Sequence, residues 1–260
     1  MIYKKKINHF VKDLTFIIVT YRSNHIIKKC LSGLPAKSKI IIVENSNDIN
    51  LKKHLKKNKN LKIILNKNGG YGHGNNVGLN KVTTKYAFII NPDVLIKKNA
   101  INIIYNAVKL LKDDFSIIGP INTKLNSLKN KITNEKTVSG HAMLLNLKNK
   151  ILFDEKIFLF YDEIDFCMRV KKKGGKIFSV DGCNVIHKGR NSVKYSFKVE
   201  VLRNWHYYWS HFYFHKKHFG LPMAYIKSSK KFFGSLSQYF FAVILFREEK
   251  RIMNKYKFLG

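Results

Sequence analysis

LTFIIVT at residues 14–20 is a short apolar run dominated by β-branched and aromatic side chains, and KIIIV at 39–43, LKIIL at 61–65 and YAFII at 86–90 repeat it in kind. Continuous apolar runs of this length read as strands buried on both faces. Helical segments are expected between and after them, at 24–34, 51–59, 74–81 and 100–112, the last placing Ile103, Ile104, Ala107, Leu110 and Leu111 on one face. Strands alternating with helices predict an α/β domain built on a mainly parallel sheet. Each strand runs into polar residues: Thr20-Tyr21, Glu44-Asn45, residues 66–70, and Asn91-Pro92-Asp93. Ligands of open α/β sheets lie beyond the carboxyl ends of the strands, so these four polar ends mark one expected binding edge.

The 260 residues suffice for one large domain or a domain with an appendage, and 45% hydrophobic content excludes wholesale disorder. With 49 Lys and Arg against 16 Asp and Glu, the net charge of +33 points to an anionic partner: nucleic acid, a lipid surface or a phosphorylated substrate. A coding bias toward Lys, Asn and Ile is the competing source of that charge, since the chain also carries 26 Asn. Cys30, Cys167 and Cys183 lie far apart without zinc or disulfide spacing, which fits a reducing cytoplasm. The apolar run at 16–19 is too short for a signal peptide, and that at 239–246 is well short of a bilayer span.

Beyond residue 118 the pattern changes. A polar loop is expected at 124–136, a strand at 137–145 containing Ser139-Gly140-His141, an apolar strand at 153–160, and short strands at 176–180 and 184–187. From residue 195 the chain reads as helices rich in aromatic and basic residues.

Four places carry candidate chemistry. NGGYGHGNNVG, residues 68–78, lets backbone amides approach an anion ahead of a helix, although it has neither Walker nor Rossmann spacing and also reads as a plain turn. Asp93, after an apolar strand and a proline, is a hard oxygen ligand suited to Mg2+ or Mn2+ on a diphosphate, or again a turn residue. His187 ends another short strand ahead of Lys188-Gly189-Arg190, a cationic corner able to complete a metal site and offset phosphate charge. FLFYDEIDFCMR, residues 158–169, sets Asp162 and Glu163 beside apolar surface at a helix start, where burial raises a carboxyl pKa toward general-base use. The plainer reading makes Asp162 an N-cap and pairs Asp165 with Arg169.

Taken in order, VTYRS, IIIVENS, NGGYGHGNNVGL, FIINPDV, VSGHAMLL, FDEKIFLFYDEIDFCMRVKKKGGKIF and VIHKGRNS closely resemble the family 2 inverting glycosyltransferases, in particular their rhamnosyltransferase-like branch. The resemblance runs from about residue 16 to 192. It implies a GT-A fold, with a nucleotide-sugar half at about 14–118, an acceptor half at about 119–194, and a C-terminal helical region at 195–260. It also implies a nucleotide-diphosphate sugar donor. Thr20, Tyr21, Glu44 and Asn45 would then line the nucleotide, Glu44 standing where the family usually has Asp. Asn68, Gly70 and Asn76 would face nucleotide and sugar. Asp93, with His187, would hold Mg2+ or Mn2+, with Asn91 replacing the first acid of the family's Asp-x-Asp. Gly140 and His141 would approach the donor sugar from the acceptor side. The family's Glu-Asp pair appears here in reversed order, so Glu163 aligns with the catalytic base and Asp162 with its neighbour.

Residues 195–260 interleave aromatic and basic side chains, as amphipathic helices lying on an anionic membrane surface do. Packing against the catalytic domain is the other use of such aromatics. The expected protein is a cytoplasmic enzyme, peripheral on the inner face of the membrane, that extends a lipid-linked or lipopolysaccharide glycan in bacterial surface polysaccharide synthesis. Basic charge with aromatic interleaving is also the footprint of single-strand binding. No nucleic-acid partner is expected, because the charge is spread over the whole chain and no recognition motif appears.

Overall fold

A computed structural model describes residues 2–55, 59–97, 99–121, 131–187, 189, 192–245 and 247–260. Lys188 and Arg190, most of the loop expected at 124–136, and the end of the helix expected at 51–59 lie outside these residues. The four apolar runs form β1 (Leu14–Thr20), β2 (Lys39–Glu44), β3 (Leu61–Leu65) and β4 (Tyr86–Ile90), all parallel, in the order β3-β2-β1-β4. All seven residues of β1 are buried. Helices α2 (Ile27–Ser32), α3 (Asn50–His54), α4 (Tyr71–Leu79) and α5 (Ala100–Leu110) occupy the expected intervals, with α4 starting three residues early.

The sheet then becomes mixed. β8 (Ala142–Asn146) pairs antiparallel with β4 and with β6 (Ile117–Ile121), β6 runs parallel to β9 (Ile177–Asp181), and β7 (Ile132–Asn134) closes the edge antiparallel to β9. Two short strands, β5 (Val94–Ile96) and β10 (Val185–His187), pair outside this sheet and set His187 opposite Val94, one residue from Asp93. N-terminal α1 (Ile2–Lys12) buries Phe10 and Val11 against the main core, with Ile7 packed beside them. α6 spans Asp162–Lys172.

Three expectations need correction. Residues 132–134 are strand rather than loop, because Ile132, Thr133 and Asn134 find backbone partners in β9. The strand expected at 137–145 begins at Ala142, leaving Ser139, Gly140 and His141 as a turn above the sheet edge. No strand forms at 153–160: Phe153 and Ile157 are buried, but the segment turns, and Phe160 (φ 65°) and Tyr161 (φ 62°) are both left-handed.

Three C-terminal helices follow, α7 (Phe197–Phe219), α8 (Leu221–Ile244) and α9 (Glu248–Leu259). Ser196 caps α7 by accepting from the Val199 amide, and Gly220 (φ 87°) makes the sharp corner into α8, whose second residue is Pro222. Aromatics on α7 do pack against the segment that leads into α6: Tyr161 meets Tyr207, His211 and Phe214, and the Ser210 hydroxyl donates to the Leu159 carbonyl. The far end of α7 is fixed by charge. Asp165, with a fully buried side chain on α6, accepts from Arg169 at 2.7 Å and Lys217 at 2.5 Å and faces His218 at 2.8 Å. Burial would raise its carboxyl pKa, but the bonds from Lys217 and Arg169 outweigh burial and hold it below the ordinary value. Among the described residues no helix is long and apolar enough to cross a membrane.

Removing a buried charge that pairs with Arg169 and Lys217 strands both cations at a partly buried site. Asp165→Ala is therefore expected to lower unfolding stability by about 3 kcal/mol in urea titrations, with the loss spread over α6 and α7 in hydrogen exchange.

Candidate functional site

The polar strand ends and the turn into α6 enclose a cavity of about 460 Å3. One wall comes from the carboxyl edge of the sheet: Val19, Thr20, Tyr21, Asn45, Asn68 and Gly70. Its floor carries Asn91, Pro92, Asp93 and His187, with Ser139, Gly140 and His141 beside them. Phe158, Leu159, Phe160, Asp162 and Glu163 bound it on the α6 side, and Val199, Leu202, Arg203 and His206 of α7 form the remaining wall.

The sheet-side wall is stiffened by its own amides. Asn45 donates to the Gly70 carbonyl at 2.9 Å and accepts from Asn66 at 2.8 Å. Gly70 has φ 99°, and a Cβ there would collide with the Phe158 backbone, so only glycine fits. The next amide, Tyr71, donates to the Phe158 carbonyl at 2.9 Å, which ties the glycine-rich loop to the segment leading into α6.

Two expected nucleotide contacts are not brought to the cavity. Glu44 is fully buried, and its carboxylate accepts from the Thr20 hydroxyl at 2.6 Å, from the Ser46 amide at 2.7 Å and from the Ser46 hydroxyl, so it builds the turn after β2. The longer side chain curls onto its own backbone. Asn76 exchanges hydrogen bonds with the Phe153 backbone (2.8 and 3.0 Å) and donates to Glu155 at 2.8 Å, which consumes its amide behind the cavity wall.

On the floor, His187 Nε2 lies 3.2 Å from Asp93 Oδ1 and 3.5 Å from the Asn91 amide nitrogen. The His141 ring stacks on His187 at 4.7 Å between centroids and 5° between planes, and its Nδ1 meets the Ser139 hydroxyl at 2.6 Å. Burial, then the neighbouring His187, pushes the His141 pKa down to about 4, so this imidazole is neutral at pH 7. For a divalent cation the fit is partial. Asp93 and His187 offer a carboxylate and an imidazole from adjoining strands, but no group of three His, Cys, Asp or Glu among the described residues is placed to hold a metal. An ion here would need oxygens from a bound diphosphate and water, as Mg2+ and Mn2+ commonly accept.

The acidic pair occupies the first turn of α6, after the two left-handed residues. Asp162 is 4% exposed, and its Oδ2 has no hydrogen-bond partner among the described residues. Burial, then the charge of Glu163, raises its pKa well above the ordinary carboxyl value. Glu163 is the more accessible of the two, and Gly140 passes it so closely that a Cβ at 140 would stand 3.0 Å from the Glu163 Cβ. Tyr161, not Asp162, is the cap residue, and Arg169 braces Asp165 and the Leu152 carbonyl rather than facing the cavity.

Sequence reading did not single out Ser23, Tyr71, Phe158 or the α7 wall. Ser23 donates to the Ser192 carbonyl at 2.7 Å and Tyr71 to the Gly140 carbonyl at 3.1 Å. Phe158 stacks on His206 at 4.1 Å. Only the close alternation of aromatic and polar residues at 203–209 hinted that one face of α7 turns inward.

Comparison with known proteins gives the family and the fold. A hexosyltransferase of low-salt glycan biosynthesis, Agl10 of Haloferax volcanii, is 26% identical over 207 residues, covering 67% of each chain. The rhamnosyltransferase WbbL of Escherichia coli K12 is 25% identical over 234 residues, covering 73% of this chain and 88% of that one. Among solved structures, S. aureus TarS (TM-score 0.50, 16% identity) and GalNAc-T7 crystallised with UDP, GalNAc and Mn2+ (TM-score 0.52, 12% identity) share the fold. They are matched over 74% and 64% of this chain, which spans only 39% and 41% of theirs. The profile of Glycosyl transferase family 2 matches residues 15–172, more than half of the molecule, and with its GT-A architecture the chain belongs to that family.

Proposed function

We propose that this family 2 glycosyltransferase is an inverting enzyme that moves a sugar from a nucleotide diphosphate to a hydroxyl of a lipid-linked or lipopolysaccharide glycan. The observation that carries the proposal is the convergence of Asp93, His187, Glu163 and the Asn68–Gly70 loop on one cavity. Rhamnose from dTDP-rhamnose is the favoured donor, in line with the likeness to a rhamnosyltransferase, and a hexose from a UDP donor is the other reading, in line with the hexosyltransferase relative. Residues 1–194 form the catalytic unit in this reading, with 195–260 as its helical, membrane-associating region.

In the proposed reaction Glu163 takes the proton from the acceptor hydroxyl as its oxygen attacks the anomeric carbon opposite the leaving group, inverting configuration. Burial and the neighbouring Glu163 raise the Asp162 carboxyl well above its ordinary pKa, which favours Asp162 as the member of the pair that holds a proton. Gly140 leaves room for this carboxylate, and the stacked His141 contributes shape and a neutral ring. Asp93 and His187 would hold Mg2+ or Mn2+, which when bound supplies positive charge to the departing diphosphate. Thr20, Tyr21, Asn45 and Asn68 would contact the nucleotide, with Asn91 near the diphosphate.

The outer face of α8 supports the membrane part of the reading. Tyr225, Ile226, Phe233, Phe240, Phe241 and Ile244 are all more than half exposed on it, beside exposed Lys227 and Lys230. An apolar face bordered by lysines suits the headgroup region of an anionic bilayer.

Calorimetry with UDP and dTDP tests the assignment. Binding is expected in the presence of Mg2+ or Mn2+ and about tenfold weaker after chelation, without salt-sensitive oligonucleotide binding; absence of nucleotide binding would sink the proposal. Glu163→Gln should abolish transfer, a loss of about a thousandfold or more in kcat, while nucleotide affinity stays unchanged. Asp162→Asn, an isostere of the neutral acid, should keep activity within about tenfold of the parent; the reverse ranking would make Asp162 the base. In flotation with vesicles of phosphatidylcholine and phosphatidylglycerol, the protein should rise with the lipid, and Phe233→Asp with Phe240→Asp should leave it at the bottom.

A further inference from the structure

The cavity has a wall that the family profile does not reach. That profile ends at residue 172, whereas Val199, Leu202, Arg203 and His206 come from α7. The sheet-side wall and the Asp93 floor already offer what a nucleotide diphosphate needs: amides, hydroxyls and a metal-binding carboxylate. The α7 wall has a different chemistry. Val199 and Leu202 are apolar, and Phe158 and His206 form a flat stacked pair.

Among the described residues that line the cavity, Arg203 is the only lysine or arginine, in a lining that also holds Asp93, Asp162 and Glu163. Its side chain is 30% exposed. The guanidinium carbon sits 5.3 Å over the Phe160 ring, and Nε lies 3.8 Å from the Glu200 carboxylate, beyond hydrogen-bond length. A guanidinium carries five donors in a planar fork matched to phosphate or carboxylate. The Phe160 ring limits the plane of this guanidinium, and Arg203 is part of the cavity lining. Burial holds the neighbouring His206 below its ordinary pKa, so that imidazole adds no charge at pH 7.

We infer that the α7 wall is the acceptor subsite and that Arg203 binds an anionic group of the acceptor, a phosphate or a sugar carboxylate, while Val199 and Leu202 take the adjoining apolar part. This rests on the transferase reading above and names the acceptor's class as anionic and amphiphilic. The wall lies outside the segment that the family profile matches.

The test is titration calorimetry on the full chain saturated with UDP or dTDP and Mg2+, using decyl phosphate, decyl glucuronide and neutral decyl glucoside. At least one anionic probe should bind more tightly than the glucoside, and whichever of the two does so identifies phosphate or carboxylate as the group. Arg203→Gln should weaken that probe by about tenfold or more, Arg203→Lys should restore part of the loss, and nucleotide and glucoside affinities should not move. Equal binding of all three probes, or an anionic probe indifferent to Arg203→Gln, overturns the inference. So does a fall in nucleotide affinity with probe binding intact, which would assign Arg203 to the donor diphosphate. If the parent protein binds no nucleotide at all, it is the transferase reading that fails.

Discussion

Everything at this site depends on carrying two adjacent carboxyls into an apolar wall without letting water reach both. The chain does so with a turn that ordinary residues resist. Phe160 and Tyr161 are consecutive left-handed residues, each a conformation costing on the order of 1–3 kcal/mol for a bulky side chain. The cost is offset by their rings: Tyr161 is enclosed by Tyr207, His211 and Phe214, and Phe160 lies between Tyr207 and Arg203. The C-terminal helices therefore hold the acidic turn in shape. Asp165 fastens the same two helices one turn further along, so α6 is pinned at its first turn by aromatic packing and further along by charge.

Strands β1 and β4 were legible because their burial is complete on both faces, which leaves an unbroken apolar run in the sequence; β3, at the sheet edge with Lys62 exposed and the rest half-buried, still falls where its apolar residues place it. Where burial is one-sided or pairing is brief, the signal fades. β5 and β7 are three residues each, and their partners lie far along the chain. α1 carries Ile7, Phe10 and Val11 at helical spacing, yet the lysines at 4–6 beside them mask that pattern, and no helix is expected there from the sequence. The 153–160 segment shows the opposite error: aromatic, apolar composition reads as strand, but those side chains are spent on packing a turn.

Site residues were legible in proportion to how far they sit from the backbone's own needs. Asp93, Asp162, Glu163 and His187 line the cavity from the edge of the sheet and the start of α6, where a polar strand end and a helix start mark them in the sequence. Glu44 and Asn76 do not, since a turn and a neighbouring segment claim their side chains first. Composition cannot rank a ligand against a backbone amide as the partner of a carboxylate. The α7 wall was hidden for another reason: its residues become a site only through the docking of α7, which depends on Lys217 and His218 finding Asp165 more than fifty positions earlier.

The hydrogen bond from Tyr71 to Phe158, together with the grip of Asn76 on Phe153 and Glu155, turns two separate loops into one lever. The glycine-rich loop cannot shift without drawing the acidic turn after it. An adjustment at residues 68–71 would thus be passed, through these hydrogen bonds, to the segment that leads into Asp162 and Glu163. Glycine at 70 is what lets the two halves of the lever touch, and so the smallest residue in the loop sets the mechanical gain of the site.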